Sequence, residues 1–221
     1  MPSPGEHHPA FEEYCECIYE LREDDVEVIQ ARIADRLLVS RPSVSEMMHR
    51  LEAEKLITIR DAKIQLTSKG EKLAQSVVRR HRLAERFLTD MLGLSWAQAH
   101  REAGKWEHVM STEVEDAIAR VLGRPTTCPH GNPIPGSGYT APIAVKLSDV
   151  EVGHAFTVSR IPEELEFAAG ILDFLEKTQL VPGRSGVVTS SGKTGSVTVD
   201  IEGNSVKVEP FASLRILVTT A

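Results

Sequence analysis

Five side chains between residues 81 and 108 have the types and the spacing of a metal-binding group. His81 and Glu85 are four positions apart, which places them on one face of a helix, one turn from each other. His100 and Glu107 are seven positions apart and share the face of a second helix, with His108 at its edge. Two such helices packed side by side direct imidazoles and carboxylates into a shared seam, a ligand set that suits first-row divalent ions. The alternative is a scatter of surface residues on amphipathic helices, because an isolated HxxxE or EH pair is common.

Carboxylates in two other predicted helices are further candidate ligands. Glu13 and Glu16 lie within one turn of each other in the amphipathic stretch FEEYCECIYEL, and Cys17 is beside them. Glu166 belongs to a helix predicted near residues 163–177. Glutamates at such positions are usually solvated, so ligation and simple exposure remain alternative interpretations of all three.

The composition is that of a folded, globular protein. The chain has 221 residues, enough for one large domain or two smaller ones, and its hydrophobic content of 41% excludes wholesale disorder. No apolar run approaches the roughly 18 residues that predict a membrane span, and the acidic N-terminal stretch lacks the apolar core of a signal peptide. The cysteines Cys15, Cys17 and Cys128 form no CxxC pair, so we expect a reducing, cytoplasmic location.

Charge is distributed unevenly along the chain, whose net charge is −7. Residues 1–27 carry a net charge of −8, residues 28–94 a net charge of +5, and residues 95–221 a net charge of −4. A basic middle segment between acidic ends indicates a nucleic-acid-binding surface in an otherwise acidic protein.

The basic segment has the pattern of a winged helix-turn-helix. Residues 28–38 predict one short amphipathic helix, and a second follows a tight break, with Ser40 as its N-cap and Pro42 in its first turn. The stretch LITIRDAKIQL alternates apolar and polar residues around a turn, which predicts a two-stranded wing. Thr67 or Ser68 then caps a long helix.

Small hydroxyls and arginines on the outer face of the second helix are what a reader of the DNA major groove needs. The candidate DNA contacts on this helix and on the wing are Arg41, Pro42, Ser43, Ser45, Glu46, His49, Arg50 and Arg60. An ordinary small helical bundle is the alternative interpretation of the same helices.

The C-terminal part changes character after a segment rich in proline and glycine. Residues 124–142 hold five prolines, a density that excludes a helix or a central strand and predicts a linker. Beyond it, stretches such as GSVTVDIEG and SLRILVTTA alternate in polarity and are separated by glycine turns, which predicts a small SH3-like β-barrel. The predicted fold class is therefore α+β.

Five motifs connect the chain to a known family: RRHRLAERFLTDMLGL, KWEHVMS, HGNPIPG, EEYCECIYEL and RPSVSEMMHRLE. Over roughly residues 11–221 the chain resembles the diphtheria toxin repressor family of metal-dependent regulators. The resemblance implies a homodimer that binds a palindromic operator in double-stranded DNA when divalent metal is present, and that represses metal-uptake genes. The predicted parts are a disordered leader (1–10), a winged helix-turn-helix DNA-binding domain (11–72), a helical metal-binding and dimerisation domain (73–123), the linker (124–142) and an SH3-like, FeoA-like barrel (143–221).

The resemblance assigns the candidate ligands to two metal sites per chain. The ancillary site comprises His81, Glu85 and His100, with a place for one residue of the barrel domain. Glu166 is a candidate ligand to which the resemblance assigns no site. The primary site comprises Glu107, His108, Glu13 and Glu16. Gly104 stands where members of the family have a cysteine or a glutamate, so one side-chain ligand of the primary site is missing.

The matched positions hold imidazoles and carboxylates, without a thiolate or a thioether. Oxygen-rich sites suit Mn(II) relative to softer ions, so Mn(II) is the first choice of activating metal and Fe(II) the second. Cys17 would reverse that preference if its thiolate reached the metal.

Two other functions are compatible with parts of the sequence. A metal-dependent hydrolase would use the same His and Glu cluster, although HExxH or a comparable motif is missing. A winged-helix regulator that senses an organic ligand would need an apolar pocket, for which two Trp, three Tyr and six Phe offer little aromatic lining. Metal-dependent turnover would favour the first function, and DNA binding indifferent to chelators would favour the second.

Overall fold

The computed structural model describes residues 8–220, with helices in the N-terminal half and most of the strands in the C-terminal part. The helices are α1 Pro9–Glu23, α2 Gln30–Leu37, α3 Arg41–Ala53, α4 Ser68–Asp90, α5 Trp96–Trp106, α6 Thr112–Val121, α7 Glu163–Glu166, α8 Ile171–Lys177 and α9 Pro210–Ser213. The strands are β1 Ile57–Arg60, β2 Lys63–Leu66, β3 Val145–Lys146, β4 Ala155–Arg160, β5 Ser185–Ser191, β6 Val197–Ile201, β7 Asn204–Val208 and β8 Leu217–Thr220. The predicted α+β class is confirmed. Across the described residues, every helix is too short or too polar to cross a membrane.

Helix α1 begins two residues earlier than the apolar pattern predicts. The ring of His8 caps it by accepting a hydrogen bond from the Ala10 amide at 3.2 Å, and Pro9 occupies the first turn. Residues 9 and 10 of the predicted leader are therefore helical, whereas residues 1–7 of that leader lie outside the described residues.

The helix-turn-helix predicted for the basic segment is formed by α2 and α3. The two helices pack through Ile33, Val44 and Met48, which are buried in one hydrophobic cluster with residues of α1. Ser40 caps α3 by accepting a hydrogen bond from the Ser43 amide at 3.2 Å. The outer side of α3 stays free of this packing.

The wing is the antiparallel hairpin of β1 and β2, which ends at the pair Arg60 and Lys63. Asp61 and Ala62 form its two-residue turn with φ angles of 50° and 63°, and two consecutive positive φ angles are what a type I′ hairpin turn requires. Thr67 then caps α4, so the wing leads directly into the longest helix.

Helix α4 packs against α1, α5 and α6 and links the DNA-binding part to the rest of the chain. Its residues Leu83 and Leu88 form a second hydrophobic cluster with Ala99 of α5. The same buried side of α4 carries His81 and Glu85 into the interior.

Strands β3 to β8 form an antiparallel sheet in the order β3-β8-β4-β5-β6-β7. In the hairpin of β6 and β7, Val199 pairs with Val206, and burial alternates along β6 as the pleat requires. The inward residues pack with Phe156 and with Leu172 and Leu175 of α8 in a third hydrophobic cluster. This sheet is the antiparallel β-structure that the alternating pattern predicts.

Two stretches differ from the pattern-based prediction. The single helix predicted near residues 163–177 is divided into α7 and α8, because Gly170 between them adopts a φ of 76°, outside the right-handed helical region. The segment 124–142, all of it described, contains no helix or strand, as predicted, but residues 128–132 are buried. This segment is therefore part of the packed interior and not a free tether.

Candidate metal centre

His81 lies at the centre of an acidic group to which three helices contribute. Its Nε2 is 3.2 Å from Oε1 of Glu85, one turn further along α4, and its Nδ1 makes a short contact with Oε2 of Glu107. Glu16 of α1 adds a third carboxylate, and ligand atoms of Glu16, His81 and Glu107 all lie within 4.8 Å of one another. The four side chains are buried and form one continuous polar group.

His108 contacts carboxylates of two elements. Its Nδ1 lies 2.7 Å from Oε2 of Glu12, and its Nε2 lies 3.1 Å from Oε1 of Glu107. Glu12 and Glu16 are four positions apart on α1 and therefore share the helix face turned to this group. The predicted ligand Glu13 lies off that face, exposed on the wall of the adjoining cavity.

Helix α5 ends before the last two candidate ligands that were predicted on it. Glu107 is the C-cap residue, with backbone angles that are still right-handed helical, and His108 follows in a turn, so the helix ends two residues earlier than predicted. Glu107 contacts His81 and His108, whereas His100, which lies within α5, contacts other carboxylates.

His100 connects α5 to the C-terminal part of the chain. Its Nδ1 lies 3.0 Å from Oε1 of Glu85 and 3.3 Å from Oε2 of Glu166 in α7. Glu166 is buried, and its Oε1 accepts a hydrogen bond of 2.7 Å from the side-chain amide of Asn132. The structure thus brings Glu166 against the candidate ligands of α4 and α5.

The carboxylates and histidines of this group shift each other's pKa values. Hydrogen bonds to Glu107 and Glu12 raise the pKa of His108 to about 10. Burial raises the pKa of Glu107, but the charges of His81 and His108 and their hydrogen bonds together outweigh burial and lower that pKa to about 2. Burial, followed by the charge of Glu107, raises the pKa of Glu16 well above its usual range. A positive charge beside Glu16 would therefore offset the cost of ionising it.

Several buried carboxylate oxygens of the group have no hydrogen-bond partner among residues 8–220. These oxygens are Oε1 of Glu16, Oε2 of Glu85 and Oε2 of Glu163. Oε2 of Glu166, by contrast, lies 3.3 Å from Nδ1 of His100 and 2.8 Å from Nδ1 of His130. Unpaired buried carboxylate oxygens are costly, and a divalent ion satisfies them together with neighbouring imidazoles. The residues present therefore fit a divalent metal centre.

A cavity of about 540 Å³ adjoins the group, and its wall includes Glu13, Glu16, His108 and Gly104. A Cβ atom added at Gly104 would meet nothing within 4 Å. The position predicted to lack a ligand side chain therefore opens onto free space beside the candidate ligands.

The predicted DNA contacts lie on the outer side of α3 and on the wing. Ser45 is half-buried, and the other positions are exposed: Arg41, Pro42, Ser43, Glu46, His49, Arg50 and Arg60. The guanidinium of Arg50 lies over the ring of Phe11, 5.1 Å from its centroid, so this side chain is also held against α1. The exposed face has the access that a groove-reading helix requires.

Three residues of the buried group were missed by the sequence analysis: Glu12, Cys128 and His130. Glu12 was detectable, because its spacing from Glu16 matches one helical turn. Cys128 and His130 lie in segment 124–142, here called the irregular segment, where no helical or strand period marks a buried position. The available local signal there was the short spacing Cys-x-His.

We predict that the three cysteines are unreactive in the folded protein. Cys15, Cys17 and Cys128 are free, with 0%, 2% and 1% of their surface exposed. Burial raises the pKa of Cys15 to about 12 and that of Cys128 to about 11, so little thiolate forms at neutral pH. A thiol-specific disulfide reagent should titrate none of these thiols in native, metal-free protein and all of them in denaturant. Prompt reaction of any one under native conditions would contradict this burial.

Two protein-family models match the chain. The model described as iron dependent repressor, N-terminal DNA binding domain, matches residues 8–63, and the model described as iron dependent repressor, metal binding and dimerisation domain, matches residues 67–136. The iron-dependent repressor IdeR of Mycobacterium tuberculosis is 40% identical over 206 residues, covering 87% of this chain and 89% of that relative. The diphtheria toxin repressor of Corynebacterium jeikeium is 48% identical over 126 residues, covering 57% of this chain and 52% of that relative.

Solved structures of similar fold include several metal-dependent regulators. A manganese-dependent transcriptional repressor in complex with manganese has a TM-score of 0.85 and 28% identity, covering 96% of this chain and 100% of its own. The manganese regulator SloR has a TM-score of 0.78 and 30% identity, covering 97% of this chain and 100% of its own. IdeR of T. acidophilum has a TM-score of 0.77 and 29% identity, with 100% of both chains covered.

Proposed function

The chain belongs to the iron-dependent repressor family, and on that premise we propose that it is a metal-dependent transcriptional repressor activated by Mn(II), with Fe(II) as the second choice. It carries a DNA-binding domain and a metal-binding and dimerisation domain, so its partners are DNA and a second copy of itself. The observation that carries the metal dependence is the set of buried, unpaired carboxylate oxygens around the histidines of α4 and α5.

The proposal extends to the biological setting. We infer a cytoplasmic, non-enzymatic regulator that binds a palindromic operator and represses genes of manganese or iron homeostasis. Free, buried thiols are compatible with a reducing compartment. Relatives that match most of the chain are named as repressors, which supports regulation over catalysis.

We assign the candidate ligands to two ions per chain. The set on α1 and at the end of α5 comprises Glu107, His108 and Glu16, with Glu12 and Glu13 as neighbouring carboxylates. The set on α4, α5 and α7 comprises His81, Glu85, His100 and Glu166. His81 also contacts Glu107, so the two sets are adjacent and electrostatically coupled.

Helix α1 is the element through which the metal centre acts on the DNA-binding surface. One face of α1 turns Glu12 and Glu16 towards His108, and the opposite face packs Ile18 into the cluster of α2 and α3. A bound divalent ion supplies the positive charge that offsets repulsion among the carboxylates. Glu12 and Glu16 then hold α1 against the end of α5 and fix the helix-turn-helix relative to the dimerisation region. Two fixed α3 helices match half-sites one DNA turn apart, so metal binding and DNA binding strengthen each other.

The chemistry of the donor atoms supports Mn(II) as the first choice of activating metal and Fe(II) as the second. Both sets consist of carboxylates and imidazoles, and oxygen-rich donors suit Mn(II) relative to softer ions, although intrinsic affinity rises towards the later metals and availability contributes in the cell. Cys17 lines the cavity, but it belongs to none of the ligand groups found in the described part of the chain. Cys17 therefore does not shift the preference of these two sets towards softer ions.

We test the proposed function by fluorescence anisotropy, which measures binding of the full-length protein to the DNA upstream of its own gene. Binding is measured in chelator, then at controlled free Mn(II) and, anaerobically, at controlled free Fe(II). We expect tight binding only with metal, and the ion effective at the lower free concentration identifies the activator. Equal binding in chelator would overturn metal dependence and favour a regulator of another ligand. Metal-dependent turnover of a phosphoester or peptide would favour a hydrolase.

We expect Gly104→Glu to tighten metal activation. Position 104 opens onto the cavity three residues before Glu107, so a carboxylate there has room to add an oxygen ligand. Half-maximal DNA binding should then need about tenfold less free Mn(II). Gly104→Gln matches the size and the gain in helix propensity without the charge, and should shift activation much less. Equal shifts for both variants would assign the effect to the helix and not to ligation.

Glu46 offers a test of the DNA-reading face. Its side chain is exposed on α3, where a carboxylate accepts a hydrogen bond from cytosine and a glutamine pairs with adenine. Glu46→Gln should therefore change the preferred base at one position of each half-site, by about 1–3 kcal/mol of discrimination. The assay compares Kd values for operator variants. Glu54→Gln, an exposed change at the end of α3, should leave the preference unaltered. An unchanged preference in Glu46→Gln would remove Glu46 from the readout.

A further inference from the structure

Arg36 of the helix-turn-helix is buried against the ring of Phe167. Arg36 lies near the end of α2, and its side chain is only 5% exposed. Its Cζ atom lies over the ring of Phe167, 4.7 Å from the ring centroid, and Phe167 is the C-cap residue of α7. A guanidinium over a ring face at this distance makes a cation–π contact. The DNA-binding part therefore touches the C-terminal part through this ring.

The same ring contacts the candidate metal centre. Phe167 directly follows Glu166 in the chain, and its ring centroid lies 5.2 Å from that of His100 at an interplanar angle of 89°. Glu166 and His100 belong to the proposed ligand set of α4, α5 and α7. Edge-to-face ring pairs are directional, so the position of the imidazole constrains that of the phenyl ring. Two candidate ligands thus hold Phe167, one through the backbone and one through the ring.

Arg36 has weak support apart from this ring. Its Nη1 lies 3.4 Å from Oε2 of Glu20, which is long for a hydrogen bond. Its buried Nη2 has no hydrogen-bond partner in the part of the chain that the structure describes. A buried guanidinium with one long ion pair is poorly compensated, so the ring face contributes more here than it would at the surface. The position of the ring therefore influences where Arg36, and with it α2, is most stable.

Arg36 and Phe167 stand between two cavities. Both residues line the cavity of about 540 Å³ beside the metal centre, and both line a second cavity of about 270 Å³ between α2 and the C-terminal part. Open space on both sides of the contact means that close packing does not fix α2 relative to α7 there. The cation–π contact is therefore a specific connection between the two elements.

We propose that Phe167 is a positioning residue through which occupancy of the set of His100 and Glu166 acts on the helix-turn-helix. This inference rests on the proposed function and adds a second route to the one through α1. When a divalent ion is bound, His100 and Glu166 are fixed as its ligands, and they fix the ring between them. The ring then holds Arg36 and α2 in the position that presents α3 to DNA. Metal binding and DNA binding are coupled through this contact in both directions.

The test measures that coupling in the full-length protein. Fluorescence anisotropy gives the Kd for the DNA upstream of the gene in chelator and at saturating Mn(II), and the ratio of the two Kd values is the coupling factor. Phe167→Leu keeps an apolar side chain but removes the ring face, and we expect it to reduce the coupling factor about fivefold. Phe167→Tyr keeps the ring face and should retain the wild-type factor. The electron paramagnetic resonance signal of free Mn(II) should show that all these proteins still bind the metal without DNA.

Phe211→Leu is the matched control. The Cζ atom of Arg215 lies 4.5 Å from the centroid of the Phe211 ring, and Phe211 is 42% exposed against 51% for Phe167. This second cation–π contact joins residues of the C-terminal part alone, so its loss should leave the coupling factor unchanged. Arg36→Met completes a double-mutant cycle with Phe167→Leu. If the two residues act through their mutual contact, the double variant should lose no more coupling than either single variant.

An unchanged coupling factor in Phe167→Leu would overturn the inference. An equal loss in Phe167→Tyr or in Phe211→Leu would also overturn it, because the ring face over Arg36 would then not be the cause. Additive losses in the double variant would show that the two residues act separately. A wild-type coupling factor of one would overturn the proposed function and this inference with it, whereas a larger wild-type factor that Phe167→Leu leaves intact would overturn this inference alone.

Discussion

Glu107→Gln is expected to abolish metal-stimulated DNA binding while leaving the fold intact. Glu107 is the carboxylate that contacts both His81 and His108, at the junction of the two proposed ligand sets. Glutamine preserves the volume and some hydrogen bonding but removes the charge that a divalent ion requires of its ligand. The free Mn(II) needed for half-maximal DNA binding should therefore rise by at least about 100-fold, more than the loss of an outer-shell partner causes. Anisotropy titration with Mn(II) measures this shift.

The matched control for this variant is Glu102→Gln. Glu102 lies on the same helix and pairs at the surface with Lys105 at 2.7 Å, away from the buried group. Its loss should leave metal activation unchanged, and circular dichroism should show wild-type helix content for both variants. A Glu107→Gln protein with the full metal response would refute the assignment of Glu107 as a ligand.

Arg82→Met is expected to produce the largest loss of stability. Arg82 is fully buried in α4 and donates to Glu23 at 2.6 Å, to Glu163 at 3.0 Å and to the Pro133 carbonyl at 2.5 Å. It thereby connects α1, α7 and the irregular segment. Methionine fills similar space but leaves Glu163 without its cation, whereas Glu23 keeps Arg160 at 3.2 Å. Breaking a buried pair from one side costs about 3–5 kcal/mol. Urea denaturation of the metal-free protein measures the free energy of unfolding.

Arg86→Met provides the comparison on the same helix. Arg86 pairs with Asp90 at 3.0 Å, and the two side chains are 33% and 45% exposed. Pairs of this kind contribute about 0–1 kcal/mol, so the variant should unfold close to the wild-type midpoint. If Arg82→Met and Arg86→Met lost equal stability, the buried network around Arg82 would not be the connection described above.

The DNA-binding half was predictable because its signals are local. The helix-turn-helix follows from the apolar spacing that buries Ile33, Val44 and Met48, and its caps follow from Ser40 and Thr67. Each of these signals acts within a few residues, through helical periodicity or a side chain that satisfies nearby backbone amides. The alternation of apolar and polar residues along each C-terminal strand is a local signal in the same sense.

The metal centre was predictable only in part. The spacing of His81 and Glu85 on α4 identified two residues of the group, since one turn of helix brings them together. The same reasoning extended α5 too far, because nothing in the spacing shows that the helix ends at Trp106. Glu12 was overlooked in favour of Glu13, although the helical period relates Glu12 to Glu16.

The sequence by itself determined the fold class, the family and the kinds of ligand available. The tertiary structure decided which ligands meet. Glu12 contacts His108, Glu166 contacts His100, and both pairs join elements far apart in the chain. His130 enters the interior on a segment without any regular period. Contacts of this kind depend on how whole elements pack, and a periodic pattern reports only the face that each element buries on its own.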